Sequence, residues 1–189
     1  MVVIAIGGVK GVGKTTLLKN LESVLSNEPP TEVVYGSSKL NEIALKEYSK
    51  SLNELSSRQT EYVHSLFLDY IEKDRSSVTF VDMHYADVVD GKIKNLVSQR
   101  SGNMYDIHIF LDAPAEEILN RRINDKSRLR NLTISDIYTE INAEKTIAEN
   151  TAREYNKKLC YFSNIEIKNA IDEIIKIVKM EFNIDLKYK

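Results

Sequence analysis

Val2 to Ile6 is an unbroken apolar run rich in β-branched residues, which predicts a strand buried on both faces. Similar runs recur at Glu32 to Tyr35, Val78 to Val81 and Ile107 to Leu111, with a weaker one near Ile165 to Ile167. Between them the apolar positions change to helical spacing. Leu17, Leu18, Leu21, Val24 and Leu25 mark a helix after the first strand. Over Lys39 to Lys73, Leu40, Ile43 and Leu45, then Val63, Leu66, Phe67, Tyr70 and Ile71, predict two helices broken around Leu55-Ser56-Ser57. Pro114 suits the first turn of a helix over Ala115 to Asn124. Ser135 begins a long polar helix ending near Asn156, and Ile171, Ile174, Ile175 and Val178 define a last one, Ala170 to Phe182. Strands alternating with helices predict an α/β domain, a parallel sheet covered on both faces.

With 189 residues, 42% of them hydrophobic, the chain can bury one substantial core, so a single domain over 1–189 is expected. The 26 basic and 28 acidic residues leave a net charge of -2, which gives no field for holding nucleic acid or an anionic membrane. Cys160 is the single cysteine; an intrachain disulfide is excluded and a small buried hydrophobe is expected. No Cys/His metal cluster occurs, and no apolar stretch is long enough to span a bilayer; a cytoplasmic protein is expected. Ile137, Ile141 and Ile147 on the long helix fit the core and a second copy of the chain equally well, which leaves a homo-oligomer open.

Gly8-Val9-Lys10-Gly11-Val12-Gly13-Lys14-Thr15 fills every fixed position of the phosphate-loop pattern GxxxxGK[ST], and it lies between the first strand and the first helix. Glycines let main-chain N–H groups turn around an anion, and the helix beginning near Lys14 adds its positive dipole end. Lys14 can then reach the β- and γ-phosphates, the Thr15 hydroxyl can ligate Mg²⁺, and Thr16 continues the ATP-binding stretch. ATP and Mg²⁺ are the cofactors this loop predicts. Lys10 does not match the signature lysine of a KGGxGK loop, being one residue too close, and is expected to face solvent.

In an open α/β sheet, ligands bind beyond the carboxyl ends of the strands. Asp82, ending Val78-Thr79-Phe80-Val81, is placed to hold Mg²⁺ through water, to orient an acceptor, or to cap a turn. His84 follows as a candidate substrate contact, and Asp112 as a helix cap or a functional acid. Arg121, Arg122, Lys126, Arg128 and Arg130 fall within ten residues. Planar, permanently charged guanidinium groups suit such a loop to neutralising a transferring phosphoryl group.

Taken with the order of these motifs, Val81-Asp82-Met83-His84 is similar to a VDTH segment, and Glu117-Ile118-Leu119-Asn120-Arg121-Arg122 with Arg128-Leu129-Arg130 to EILxRR and RxR elements. On those residues the chain resembles the nucleoside monophosphate kinases, most closely the archaeal-type adenylate kinases, over nearly its whole length. The resemblance implies a P-loop NTPase three-layer α/β/α sandwich with a mostly parallel five-stranded sheet. It adds a helical NMP-binding region at 36–73 and a short arginine-rich lid at 121–134. It implies Mg-ATP-dependent transfer of the γ-phosphoryl group to AMP or a related monophosphate, with Lys14, Arg121, Arg128 and Arg130 as catalytic residues. Arg121 or Arg122 would lie over ATP, and Arg128 and Arg130 would bridge the phosphates of the two nucleotides. The acceptor would meet Gly36, Ser37, Arg58, Asp82, His84 and Lys145.

The chain departs from that family at the acceptor side. Gly36-Ser37-Ser38 stands where the family has a glycine and an aspartate. Asn53 falls at an arginine position, with Lys50 or Arg58 as substitutes, and Lys145 at another, which keeps the charge but loses the fork. Two further readings therefore stay beside the first: a kinase for another small-molecule acceptor, and an ATP-binding regulatory protein.

Overall fold

The computed structural model describes residues 1–73, 76–89, 91–125, 132–163 and 166–189. Strand β1 (Val2–Gly7) is buried along its whole length because strands flank it on both edges and helices cover both faces. Parallel to it lie β3 (Val78–Asp82) on one side and β6 (Ile107–Asp112) on the other; β2 (Thr31–Tyr35) and β7 (Lys158–Ser163) form the outer edges. The order is β2-β3-β1-β6-β7, with every pair parallel. Parallel neighbours require crossover connections, and helices provide them.

Alternate residues of β1 feed two cores. Ile4 and Ile6 pack with Leu17, Leu18 and Leu21 of α1 (Lys14–Val24), Ile118 of α5 (Ala115–Asn124), Ile137 of α6 (Ile134–Glu154) and Ile174 of α7 (Ile167–Phe182). Val3 and Ala5 pack on the opposite face against Phe67, Leu68 and Ile71 of α3 (Ser57–Lys73), with Leu40 and Ile43 of α2 (Gly36–Tyr48) beside them. A third, smaller cluster joins Tyr85, Phe110 and Ala148. The result is the three-layer α/β/α P-loop NTPase fold with a parallel five-stranded sheet. The two helices over residues 36–73 are separated by a single 3₁₀ turn, Leu52–Glu54, as the sequence break predicts.

Several elements differ from the sequence expectation or lie outside it. The last strand is β7, while the run near Ile165 to Ile167 contributes Ile167 to the start of α7; Ile165 lies outside the described residues. β7 is half-exposed at the sheet edge, so its apolar signal is diluted. A hairpin of β4 (Ala86–Val89) and β5 (Lys92–Asn95), and the short α4 (Gln99–Met104), occupy a stretch for which the sequence pattern predicts no element. On α6, Ile137 is buried and Ile141 and Ile147 are half-buried against the core, so the pattern itself calls for no second copy. Cys160 on β7 is half-buried instead of fully buried. Among the described residues no helix is long and apolar enough to cross a membrane.

Candidate active site

The register of the sheet brings Gly7, Tyr35, Asp82 and Asp112 to the same carboxyl edge, since Ile6 pairs with Asp82, Asp82 with Tyr35 and Gly7 with Phe110. From Gly7 the chain turns through the phosphate loop into α1, whose N-cap is Gly13. Gly8 has φ +135°, and a Cβ there would lie 2.5 Å from the Leu111 carbonyl oxygen, so only glycine lets the loop close over β6. Lys14 is buried, and its Nζ donates to the carbonyl oxygens of Gly8 (2.5 Å) and Val9 (3.3 Å). The ammonium is thus held at the mouth of the loop, where a phosphate tail would meet it together with the first free N–H groups of α1.

Two arginines brace the loop from α5. Arg121 donates to the Val12 carbonyl and, at 2.5 Å, to Glu117. Arg122 is turned beneath the loop: its Nε donates to the Lys10 carbonyl (2.9 Å) and its Nη2 to Glu140 of α6 (2.5 Å), with only 1% of the side chain exposed. Lys10, expected to face solvent, is half-exposed and reaches Asp87 of the hairpin at 3.0 Å.

Opposite the loop stands a wall from the ends of β2 and β3. Tyr35 donates its hydroxyl to Glu22 (2.9 Å), and burial together with that carboxylate pushes its pKa up to about 12, so it stays a phenol. Gly36 opens α2 so close to β3 that a Cβ would fall 2.1 Å from the Asp82 carbonyl oxygen. His84 Nδ1 lies 2.6 Å from Glu144 Oε1, and Glu144 Oε2 accepts from the Tyr85 N–H at 2.7 Å. Burial, with the Lys14 charge adding to it, lowers His84 to about 3, and burial raises Glu144 to about 7. Both shifts disfavour an imidazolium–carboxylate ion pair. The short contact is therefore a hydrogen bond between a neutral His84 ring and the Glu144 carboxyl group, despite its ion-pair distance.

Between loop and wall lies a cleft of about 940 Å³, within the usual range for ligand sites. Of the residues singled out in the sequence, it gathers Lys10, Gly11, Val12, Gly13, Lys14, Thr15, Thr16, Ser37, Asp82, His84, Asp112 and Arg121. Gly8, Val9, Arg122 and Gly36 stand behind this lining as supports. Arg58 is exposed on the first turn of α3 and does not border the cleft. Lys145 instead sits 5.2 Å over the Tyr161 ring of β7, also outside the lining. Lys126, Arg128 and Arg130 lie outside the described residues. Glu144 and Tyr35 carry no motif; Tyr35 was legible as a strand-end residue beside Gly36, whereas Glu144 has no sequence signal beyond being an acid in a long polar helix.

A family model described as an AAA domain matches residues 7–138. Among solved structures, a shikimate kinase from Acinetobacter baumannii in complex with shikimate superposes with a TM-score of 0.59 at 14% identity, covering 96% of this chain and 95% of that one. TT1252 from Thermus thermophilus gives 0.55 at 14% identity, with coverage of 96% and 97%. Shikimate kinase from Bacteroides thetaiotaomicron gives 0.54 at 15%, with coverage of 94% and 98%. No curated protein sequence matches the chain. These likenesses are of fold. They correct the expectation of an archaeal-type adenylate kinase acting on AMP or another nucleoside monophosphate: two of these three structures are shikimate kinases, and the family matched is the AAA domain.

Proposed function

The chain belongs to the AAA domain family, and on that premise we propose that it is a P-loop phosphotransferase moving the γ-phosphoryl group of ATP to a hydroxyl of a small molecule. The observation that carries this reading is the continuity of the cleft, which runs from Lys14 and the loop amides to Tyr35, Ser37, Asp82 and His84. The phosphate loop and the wall after β2 and β3 thus border one and the same cleft of about 940 Å³. A switch protein that only hydrolyses ATP would have no use for the second half. The fold shared with a kinase bound to shikimate, a hydroxylated ring, supports the same reading.

In this reading 1–189 is one domain, 36–73 carries the acceptor side and 121–134 the lid. Lys14, Thr15, Thr16 and the loop from Gly8 to Gly13 hold ATP, and Arg121 neutralises charge at the phosphates. Arg122 serves the nucleotide indirectly, by fixing the Lys10 carbonyl and hence the loop. Arg128 and Arg130 remain the lid candidates on sequence grounds. Thr15 and Asp82 both border the cleft and offer hard oxygen donors, which fits Mg²⁺, an ion content with one or two protein ligands plus phosphates and water. Bound there, Mg²⁺ would supply charge neutralisation on the β- and γ-oxygens. Among the described residues no group of three or more His, Cys, Asp or Glu forms a metal cage.

In the reaction the acceptor oxygen bonds to the γ-phosphorus, the bond to the β,γ-bridging oxygen breaks with its electron pair leaving on ADP, and the hydroxyl proton is released to water. The loop amides and Lys14 hold the tail in line, while the Tyr35 to His84 wall sets the acceptor's approach. The test is ADP formation by the full chain with Mg-ATP across a panel of small alcohols. ADP formation is expected to rise well above basal hydrolysis with at least one; a flat response to all of them would overturn the reading.

A further inference from the structure

Lys10 directly follows Val9, whose carbonyl oxygen helps to hold the Lys14 ammonium. Two lysine side chains thus leave the mouth of the phosphate loop from neighbouring points, and both border the cleft. They are held very differently. Lys14 is buried against the Gly8 and Val9 carbonyls, whereas the Lys10 side chain is 53% exposed and its Nζ meets Asp87 of β4 at 3.0 Å. The Lys10 backbone is nonetheless fixed, because the buried Arg122 guanidinium donates to its carbonyl at 2.9 Å. Its side chain alone can swing. Asp87 stands on a strand whose approach is pinned where the Tyr85 N–H donates to Glu144, so the carboxylate offers a fixed resting place.

An ion pair this exposed contributes little, since water screens it and holding two side chains in one geometry costs entropy. A triphosphate seated on the loop brings several negative charges and planar rows of acceptor oxygens, and it outcompetes one half-exposed carboxylate. After burial and the Lys14 charge, Lys10 is also among the groups that act on His84 and Glu144, so its ammonium stands on the side of the loop that faces the acceptor wall. In the phosphotransferase reading, the part of the nucleotide nearest that wall is the γ-phosphoryl group. From this arrangement we infer that Lys10 is a second catalytic lysine, parked on Asp87 until Mg-ATP binds and then passed to the γ-phosphoryl oxygens. There it donates charge-assisted hydrogen bonds to non-bridging oxygens, beside those of Lys14, while the phosphoryl group moves to the acceptor. The inference rests on the phosphotransferase reading and adds a residue to its machinery.

Calorimetry on the full chain with Mg-ADP and with the magnesium complex of the non-hydrolysable β,γ-imido analogue of ATP isolates the γ-phosphoryl contact. Lys10→Met should weaken the triphosphate analogue about tenfold and leave Mg-ADP unchanged, and Lys10→Arg should restore most of the loss. Asp87→Asn removes the competing carboxylate, so it should tighten binding of the analogue in the parent and have no effect in the Lys10→Met background. In ADP formation from Mg-ATP, Lys10→Met should lower kcat by about 10²-fold, more than the loss of affinity, as a transition-state contact requires. Equal changes for the two nucleotides, an Asp87→Asn effect that persists without Lys10, or an unchanged kcat would each overturn the inference while leaving the phosphotransferase reading standing. If the parent chain binds neither nucleotide, both are overturned.

Discussion

Glu144 Oε1 lies 2.6 Å from His84 Nδ1 across 60 residues of sequence, tying the middle of α6 to the acceptor wall just past β3. The same carboxylate, 3% exposed, accepts from the Tyr85 N–H, so one buried acid fixes both the ring that faces the cleft and the backbone that carries it. Glu144→Ala would strand two buried polar groups, each worth about 1–3 kcal/mol. Urea denaturation should therefore show a loss of about 2–4 kcal/mol. Glu144→Gln can still accept from Tyr85 and donate to a neutral Nδ1, and should stay within about 1 kcal/mol of the parent. Equal losses in the two variants would mean that packing, and not the hydrogen bonds, accounts for the effect.

Arg122 offers a second test, because its guanidinium is almost fully buried between Glu140 and the Lys10 carbonyl. Removing one partner of a buried pair is costly, whereas replacing both with apolar groups is often tolerated. Arg122→Met should cost about 2–4 kcal/mol and weaken ATP binding through the loosened loop. In the double variant Arg122→Met/Glu140→Leu, stability should recover in large part while ATP affinity, read by calorimetry, stays reduced. Full recovery of both would show that the loop does not depend on this strut.

That strut also explains why the sequence spoke clearly about the donor and misleadingly about the acceptor. The Glu117 to Arg122 segment supports the phosphate loop, a need common to P-loop enzymes of any acceptor, so it cannot identify which molecule receives the phosphoryl group. Strand β1, the loop and α1 were legible because their signals are local: a β-branched run, glycines, and leucines at helical spacing. The β4–β5 hairpin was not, since it is short and β5 is exposed throughout, with Lys92 and Lys94 masking its pattern. Glu144 was invisible for a different reason. Its importance comes from being buried against Tyr85, a tertiary contact that leaves no periodicity to read.

His108 gives a prediction in pH. It is fully buried on β6, its Nδ1 lies 2.9 Å from the Tyr85 hydroxyl, and burial lowers its pKa to about 4. The unfolded chain binds this proton below about pH 6.5, whereas the folded chain does so only near pH 4. Stability from this group is therefore complete above about pH 6.5 and lost as the pH falls toward 4, up to about 3 kcal/mol. His84 and Glu144 shift in opposite senses, so their slopes offset one another in that window. Replacing His108 with Phe should flatten the fall in unfolding free energy between pH 6.5 and 4, measured in urea at several pH values. An unchanged slope would assign the acid sensitivity to other groups.

Gly36 is where fold and acceptor side meet most tightly. A Cβ there would sit 2.1 Å from the backbone oxygen of Asp82, and backbone cannot rotate aside as a flexible side chain can. Gly36→Ala must therefore push the start of α2 away from the end of β3, shifting Ser37 and Ser38 relative to Asp82 while leaving the phosphate loop, on the other side of the cleft, in place. A displacement of this size at a positioning wall costs about 10²-fold in turnover. The expected outcome is an unchanged affinity for Mg-ATP with acceptor-stimulated ADP formation reduced by about that factor. Loss of ATP affinity in parallel would mean that the strain travels through β3 and β1 into the loop, and that the two halves of the cleft are a single mechanical unit.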